Sequence, residues 1–208
     1  MIEAADDALL ERWRAGDPEA ASALFERHFD ALYRFFRNKA EAVADDLVQR
    51  TMLACFEARD RFRGDSSFRT YLFSIARNQL LSHLTRGRQA GTPIDPDRES
   101  IADGAPSPSS AVGRRREQAL VLAALRRLPI DHQILVELFY WEDLSAREMG
   151  EVLGAPEGTI RTRLRKARAL LAEHIDALAG DPGLAHSTIS RLDDWAAGLG
   201  RGTVPGDD

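Results

Sequence analysis

The stretch LSAREMGEVLGAPEGTIRTRLRKARALL, from Leu144 to Leu171, has the local signals of two helices joined by a very short turn. Ser145 and Glu148 form the pattern Ser-x-x-Glu, a capping box in which a hydroxyl and a carboxylate each bind a free backbone N–H of the first turn. Gly154 suits the left-handed conformation that closes a helix, and Pro156 suits the first position of the next one. This spacing predicts a helix-turn-helix.

The second helix of this stretch has an apolar stripe and a basic face. The stripe follows the spacing i, i+4, i+7 and i+11, which predicts burial of Ile160, Leu164, Ala167 and Leu171. The polar side consists of Arg161, Thr162, Arg163, Arg165, Lys166 and Arg168. Such a helix fits the major groove of DNA, where some arginines pair with phosphates and others reach acceptors on guanine. The alternative is a solvated helix face, which explains most charge runs, but the four local signals together favour DNA binding.

Positive charge is concentrated on this helix although the 208-residue chain has a formal net charge of -5. Five cations lie within the eight residues 161–168, whereas the tail 179–208 carries five aspartates against two arginines. A phosphate backbone responds to local charge, so the overall acidity does not exclude nucleic-acid binding. We expect the acidic tail to weaken DNA binding by the free protein, since non-specific affinity grows with every phosphate neutralised.

Composition excludes several other classes of protein. No apolar run approaches the roughly 18 residues of a membrane span, and the acidic start MIEAADDALLERW lacks the basic and apolar regions of a signal peptide. We therefore expect a cytoplasmic protein without membrane insertion. The single cysteine, Cys55, excludes an internal disulfide and predicts a small buried side chain. Scattered histidines, without metal-ligand spacing or a phosphate-binding glycine loop, predict a protein that is not an enzyme and holds no metal or cofactor.

Apolar residues recur at helical spacing almost throughout, and no segment shows the sustained alternation of a half-buried strand. This predicts an all-α fold. Asp17 and Pro18 predict the start of the first helix, Asp45 or Asp46 predicts the cap of a second, and Asp65, Ser66 or Ser67 predicts the cap of a third that runs to about Thr85. Together these helices predict a first small domain over residues 1–86.

The segment from Gly87 to Gly113 is rich in Pro, Gly, Ser and Asp, which predicts a flexible linker at 87–113. Helical periodicity then returns, breaks at Pro129 and continues through the opening stretch, which predicts a second small helical domain at 114–178. The tail at 179–208 is either disordered or contains one short amphipathic helix. That helix would carry Ile189, Leu192, Trp195 and Leu199 on one side.

The third predicted helix interleaves aromatic side chains with cations in RFRGDSSFRTYLFSIARNQLLSHLTRGR. Aromatic rings stack on unpaired bases and cations follow the phosphates of a single strand, so this surface fits single-stranded nucleic acid. The candidate residues are Phe68, Arg69, Tyr71, Arg77 and Asn78. The alternative is that the apolar positions are simply helix core. We accept that alternative for Leu72 and Ile75, and spacing alone leaves it open for Phe68 and Tyr71.

A third candidate surface lies on the helix ADDLVQRTMLACFEAR. Asp46, Arg50 and Leu53 recur at i, i+4 and i+7, so one polar face carries a lone leucine, with Gln49 beside it. This pattern suits a protein-docking face. An intrahelical ion pair between Asp46 and Arg50, worth a few tenths of a kcal/mol, explains the charged positions equally well.

The segments DDLVQRTML, RFRGDSSFRTYLFSIARNQL and LSAREMGEVLGAPEGTIRTRLRKARALL, in this order and with a polar linker, resemble the extracytoplasmic-function group of sigma-70 family factors. The resemblance covers about residues 20–175. It implies a sigma factor whose first domain, region 2, and second domain, region 4, direct core RNA polymerase to promoters. The implied partners are the beta-prime clamp helices and the beta flap of core polymerase, promoter DNA, and an anti-sigma factor in the cases where one exists.

The resemblance also implies roles for the candidate residues. The polymerase would be contacted by Asp46, Gln49, Arg50 and Leu53. The minus-ten strand, with a flipped base, would be held by the segment FRGDSSF and the helix that carries Tyr71 and Asn78. The minus-thirty-five element would be read by the basic face of the last motif. Two positions depart from the family pattern: Arg50 replaces a usual glutamate, which reverses a charge on the polymerase face, and Met149 with Gly150 replaces Ile-Ala near the turn.

Two other functions compete with this interpretation. A stand-alone helix-turn-helix regulator needs a dimer interface for two half-sites, and the chain shows neither heptads nor a strong dimerisation helix. It also leaves the first domain without a role. An enzyme would need a catalytic constellation, and Asp45 with Asp46 is better explained as a helix cap. Promoter recognition accounts for both domains.

Overall fold

The computed structural model of the chain describes the backbone of residues 2–59, 62, 64, 66–89 and 110–192. The described residues are mostly helical and contain no strand, which confirms the predicted all-α fold. The helices are α1 (Ile2–Arg14), α2 (Pro18–Ala40), α3 (Ala44–Glu57), α4 (Phe68–Gln89), α5 (Ser110–Arg126), α6 (Ile130–Tyr140), α7 (Ala146–Leu153), α8 (Glu157–Ala179) and α9 (Pro182–Ser190), with a 3-10 helix at Glu41–Val43.

Two predicted helix starts are confirmed by their hydrogen bonds. The Asp17 carboxylate accepts from the backbone N–H groups of Glu19 and Ala20 at 3.0 and 3.3 Å, with Pro18 as the first residue of α2. A hydrogen bond from the Arg12 side chain, together with these N–H groups, lowers the pKa of the Asp17 carboxyl. At the start of α4, Ser67 Oγ accepts from the backbone N–H of Thr70 at 3.2 Å. Both bonds satisfy N–H groups that lack partners in a first helical turn.

The start of α3 differs from the prediction that Asp45 or Asp46 is its cap. Helix α3 begins at Ala44, and the preceding Val43 makes no side-chain cap bond. A 3-10 helix leads directly from α2 into α3, so the chain never leaves helical geometry for long enough to need an aspartate cap. Asp45 and Asp46 therefore lie inside the first turn of α3.

Helix α1 was not predicted from the sequence, although it has 13 residues. Its stability comes from packing: Leu10 and Trp13 are buried, and Trp13 lies edge-on to Phe25 of α2 at 5.4 Å. Asp6 is also buried and contacts two side chains of α2. Its carboxylate lies 2.7 Å from His28 Nε2 and 2.6 Å from Arg27 Nη1. A buried carboxylate needs such partners, and here they join α1 to α2.

The chain divides into two compact units, and the first comprises Met1–Pro93 with Ala146–Glu157. Its core is formed by aliphatic and aromatic side chains of α2, α3 and α4. The largest fully buried ones are Leu24, Leu32, Phe36, Leu47, Phe68, Leu72, Phe73 and Leu80. Cys55 is buried in this unit as predicted, and burial raises the pKa of its thiol to about 12. Ile75 is only half-buried, in contrast to the prediction that it belongs to the core.

The second unit comprises Ile94–Ser145 with Gly158–Asp208. Its core cluster consists of Leu120, Val121, Ala124, Leu125, Leu128, Val136, Ala167, Leu171, Ile175 and Leu192. Helix α9 packs on α5, and Ser187 Oγ donates to Glu117 Oε1 at 2.7 Å. The first part of the tail thus forms a short helix, whereas residues 193–208 lie outside the described residues. Ile189 and Leu192 face the core cluster as predicted, whereas Trp195 and Leu199 lie outside the described residues.

The ends of the predicted linker are helical. Helix α4 continues to Gln89 and α5 begins at Ser110, so the linker cannot span the whole of 87–113. Gly87 and Gly113 lie inside helices, where a glycine costs about 1 kcal/mol relative to alanine and is tolerated. Residues 90–109 lie outside the described residues. The predicted second domain includes α7, whereas the contacts group this helix with the first unit, where it lies against α4.

The turn after α7 depends on Gly154, whose φ of +65° confirms the predicted left-handed conformation. We expect Gly154→Ala to destabilise the protein by about 1 kcal/mol, because L-residues are strained in this region. Gly158 is the matched control: it lies in the first turn of α8, and a Cβ at either glycine would meet nothing within 4 Å. Gly158→Ala should stabilise the protein by about 0.5 kcal/mol or more. Thermal unfolding followed by circular dichroism measures both changes, and equal shifts in the two variants would contradict the assignment.

Candidate nucleic-acid interface

Helix α8 separates apolar and basic side chains onto two faces. Ile160, Ala167, Leu171 and Ile175 are fully buried, which confirms most of the predicted stripe. Five of the six predicted DNA-binding side chains are exposed: Arg161, Thr162, Arg163, Arg165 and Lys166. Four of these side chains are cations, and they lie within about a turn and a half of α8. This face therefore presents a positive, solvent-accessible surface of the kind that contacts a duplex.

Two positions on α8 differ from the predicted pattern. Leu164 is only half-buried, so the apolar stripe is interrupted between Ile160 and Ala167. Arg168, predicted on the outer basic face, is half-buried, and its guanidinium carbon lies 5.5 Å from the ring centroid of Tyr140 on α6. This cation–π contact holds Arg168 against its own unit. Arg168 is consequently less available to DNA than the other arginines of the face.

His132, near the start of α6, lies close to the basic face and was not predicted as a functional residue. Burial lowers the pKa of its imidazole, and the nearby charges of Lys166 and Arg163 lower it further against the opposing effect of Asp131. Its Nδ1 atom is buried without a hydrogen-bond partner. The neutral form of His132 therefore avoids adding charge beside two cations. No sequence signal could have identified this residue, because more than 30 positions separate it from Lys166.

The predicted single-strand surface on α4 divides into buried and accessible residues. Phe68 is 1% exposed, its ring 5.6 Å from that of His28 and edge-on to that of Phe62 at 6.4 Å. The prediction that Phe68 stacks on a base is therefore wrong for this structure, and the alternative of core packing is correct. Phe68 lies in the first turn of α4 and points inward, where its ring fills the space between α4 and α2.

The remaining α4 candidates are accessible. Asn78 is exposed, and Arg69, Tyr71 and Arg77 are half-buried. The Tyr71 ring packs against that of Phe62, with centroids 4.6 Å apart and a tilt of 35°. One side of the Tyr71 ring is thus supported by Phe62, and the residue as a whole stays partly exposed. An aromatic ring held in this way is suited to stacking on an unpaired base.

The predicted docking face on α3 combines both interpretations of its pattern. Arg50 forms an intrahelical pair with Asp46, in which Nη2 lies 2.9 Å from Oδ2 and Nε lies 3.0 Å from Oδ1. Gln49 is exposed beside this pair. Leu53 is 57% exposed, although apolar side chains of this size usually pack inward. The ion pair therefore exists, and it leaves an apolar side chain uncovered on the same face.

Phe56 extends the same face and was not identified from the sequence. It is 54% exposed and lies three residues after Leu53, which places both side chains on one side of α3. Its ring contacts that of Trp13 on α1 at 5.8 Å. The sequence signal that could have identified Phe56 is its i, i+3 spacing from Leu53. An apolar pair rimmed by charged residues is typical of a protein-binding surface.

Among the described residues, no group of three or more His, Cys, Asp or Glu side chains could hold a metal ion. No helix in the described part of the chain has the length and apolar character needed to cross a membrane. The exposed basic, aromatic and apolar side chains can bind macromolecules by charge, stacking and burial.

Comparison with known proteins gives two domain matches and several full-length relatives. Sigma-70 region 2 matches residues 24–90, and Sigma-70 region 4 matches residues 118–171. The RNA polymerase sigma-H factor of Pseudomonas aeruginosa is 29% identical over 195 residues, which cover 86% of this chain and 97% of the relative. The ECF RNA polymerase sigma factor SigM of Mycobacterium tuberculosis is 31% identical over 172 residues, which cover 82% of this chain and 84% of the relative.

Two solved structures are similar in fold and sequence. CnrH, in complex with the cytosolic domain of CnrY, superposes with a TM-score of 0.63 and 29% identity, covering 84% of this chain and 99% of that one. The sigma factor RpoE from Bartonella quintana, in complex with the anti-sigma factor NepR, has a TM-score of 0.54 and 26% identity over 71% of this chain and 91% of that one. The two domain matches include α3, α4 and the basic face of α8, whereas α1 and α9 lie outside them.

Proposed function

Because the chain belongs to the extracytoplasmic-function group of sigma-70 factors and therefore directs promoter-specific transcription initiation, we propose that three of its surfaces divide this work. The basic face of α8 reads the minus-thirty-five element, the accessible side of α4 holds the minus-ten single strand, and the outer face of α3 binds core polymerase. The observation that carries the proposal is the exposure of Arg161, Arg163, Arg165 and Lys166 on one helix of an acidic chain.

The minus-thirty-five contact would use charge and hydrogen bonds together. Arginine donates two parallel hydrogen bonds to O6 and N7 of guanine, whereas lysine acts on phosphate as a point charge. The exposed arginines thus supply base readout, and Lys166 supplies phosphate attraction. Thr162 is exposed too, and its hydroxyl already donates to the Gly158 carbonyl oxygen at 3.1 Å, so its methyl group is free for apolar contact with a base.

The minus-ten contact would hold an unpaired strand on α4. Tyr71 offers a ring supported from behind by Phe62, and the exposed amide of Asn78 offers a donor and an acceptor for a base edge. Arg69 and Arg77 follow the phosphates. Extruding a base from the duplex costs a few kcal/mol, which stacking and hydrogen bonding on this surface offset.

Core polymerase would bind the outer face of α3, where Leu53 and Phe56 are uncovered. The clamp helices of the beta-prime subunit are the partner that the family resemblance implies for this face, and the beta flap is the partner implied for region 4. An anti-sigma factor is a further partner, since CnrH and the Bartonella RpoE were both solved with protein partners, NepR being an anti-sigma factor. The protein would act in the cytoplasm by binding, without a catalytic reaction of its own.

Fluorescence anisotropy of the labelled protein with core RNA polymerase tests this function. We expect submicromolar affinity. We also expect Arg50→Glu to bind roughly two- to fivefold more tightly, because it restores the acidic residue that the family carries on this face and exposed ion pairs are worth up to about 1 kcal/mol.

The matched control for Arg50→Glu is Arg12→Glu, which makes the same charge change at an exposed position on α1. Equal effects of the two substitutions would assign the gain to net charge and contradict a local contact at position 50. Absence of binding by every variant, with circular dichroism unchanged, would instead favour a stand-alone DNA-binding regulator.

A further inference from the structure

Arg14 ends α1 and contacts the segment that precedes α4. Its Nη2 atom donates a hydrogen bond to the backbone carbonyl oxygen of Phe62, and its guanidinium carbon lies 5.4 Å from the centroid of the Phe62 ring. One side chain thus binds both the backbone and the ring of the same residue, across 48 positions of sequence. Neither Arg14 nor α1 falls within the matched region 2.

Phe62 connects this contact to the proposed single-strand surface. Its side chain is buried although it lies between helices, and its ring is in contact with the half-buried ring of Tyr71 at 4.6 Å. A second, edge-on contact joins it to the core residue Phe68. The Phe62 ring therefore supports one side of the Tyr71 ring. Any change in the position of Phe62 changes the support of the ring that we assign to base stacking.

Helix α1, which carries Arg14, is held in place by its contacts with the rest of the unit. Leu10 and Trp13 are buried immediately before Arg14, and Asp6 joins the first turns of the helix to Arg27 and His28. An arginine suits the position because its planar guanidinium can donate a hydrogen bond in its plane and cover an aromatic ring with its face. Lysine carries the same charge but lacks this planar geometry.

We propose that Arg14 is a positioning residue for minus-ten recognition, which fixes Phe62 so that Tyr71 is preorganised for stacking on the unpaired strand. This inference rests on the proposed role of α4. Preorganisation lowers the ordering cost of binding without a new contact to the ligand, so Arg14 influences strand affinity from outside the DNA-binding surface. A purely structural role, as a cation that favours the C-terminal end of α1, predicts no such influence.

The test uses full-length protein bound to core polymerase and a pool of single-stranded DNA with 20 random positions. Wild type first selects a strand sequence, and the affinity of each variant for the selected strand is then measured by anisotropy. We expect Arg14→Ala to weaken strand binding roughly tenfold, the value of one hydrogen bond and one cation–π contact. Arg14→Lys should also weaken it, because lysine lacks the planar guanidinium that makes both contacts at once. Arg12→Ala removes an exposed cation of the same helix α1 and its ion pair with Asp17, the cap of α2, and it should have no effect.

A double-mutant cycle with Tyr71→Ala separates positioning from general destabilisation. If Arg14 acts through Tyr71, Arg14→Ala causes no further loss in the Tyr71→Ala background. Additive losses, or full strand affinity in Arg14→Lys, would overturn the inference while leaving the role of α4 intact. Failure of Tyr71→Ala itself to weaken binding would overturn the proposed function of α4 and the inference with it. Core affinity and thermal unfolding of each variant show whether a loss reflects misfolding.

Discussion

We expect the replacement of Leu53 by aspartate to reduce the affinity for core RNA polymerase by roughly 30-fold or more. Leu53 is 57% exposed in the free chain, so its apolar surface is removed from water only when a partner covers it. Burying a leucine side chain contributes about 1.5–3 kcal/mol, and a buried unpaired carboxylate costs more still. Anisotropy with labelled protein measures the loss, as in the Arg50 experiment.

The control for Leu53→Asp is Phe29→Asp. Phe29 is 42% exposed on α2, where its ring stacks on that of Tyr33 at 6.1 Å. Both substitutions place a carboxylate at an exposed apolar position, so they make the same change in charge. Comparable loss of polymerase binding in the two variants would show that the effect is not specific to the face of α3. Retained binding by Leu53→Asp would remove α3 from the polymerase interface.

We expect the replacement of both Arg161 and Arg165 by alanine to lower the affinity of the polymerase-bound protein for its minus-thirty-five duplex by roughly 100-fold. One bidentate arginine–guanine contact contributes about 1–3 kcal/mol, and two such residues act on the same groove. Both side chains are exposed, so the fold should be unaffected. The probe is a duplex selected by the wild-type complex from a random-sequence pool.

The salt dependence of this binding shows how the two arginines act. Each lost phosphate contact reduces the slope of log affinity against log salt by about 0.9, whereas loss of a base contact leaves the slope unchanged and relaxes sequence preference. Arg127→Ala is the control, because Arg127 is an exposed cation of the same unit outside α8. An equal loss in Arg127→Ala, or no loss in the double variant, would refute readout by this face.

Tertiary packing changed the expected role of several candidate residues. Phe68 and Tyr71 lie one turn apart on α4, yet Phe68 is buried against Phe62 and His28 while Tyr71 is only half-buried. Arg168 follows the same helical spacing as Arg161 and Arg165, but its guanidinium packs against the ring of Tyr140. In each case the difference arises from a residue brought near by another helix. A helical period cannot supply that information, since it fixes direction around one axis only.

The sequence by itself determined the all-α class, the cap at Asp17, the left-handed Gly154 and the basic face of α8, and it narrowed the cap of α4 to Asp65, Ser66 or Ser67. These features depend on interactions within a few residues, which caps, periodicity and turn chemistry record directly. Only the tertiary structure decided the docking of α1 through Asp6, the contact of Arg14 with Phe62, and the burial of Phe68. These depend on contacts between distant parts of the chain, whose free energy comes from burial and pairing after the helices meet.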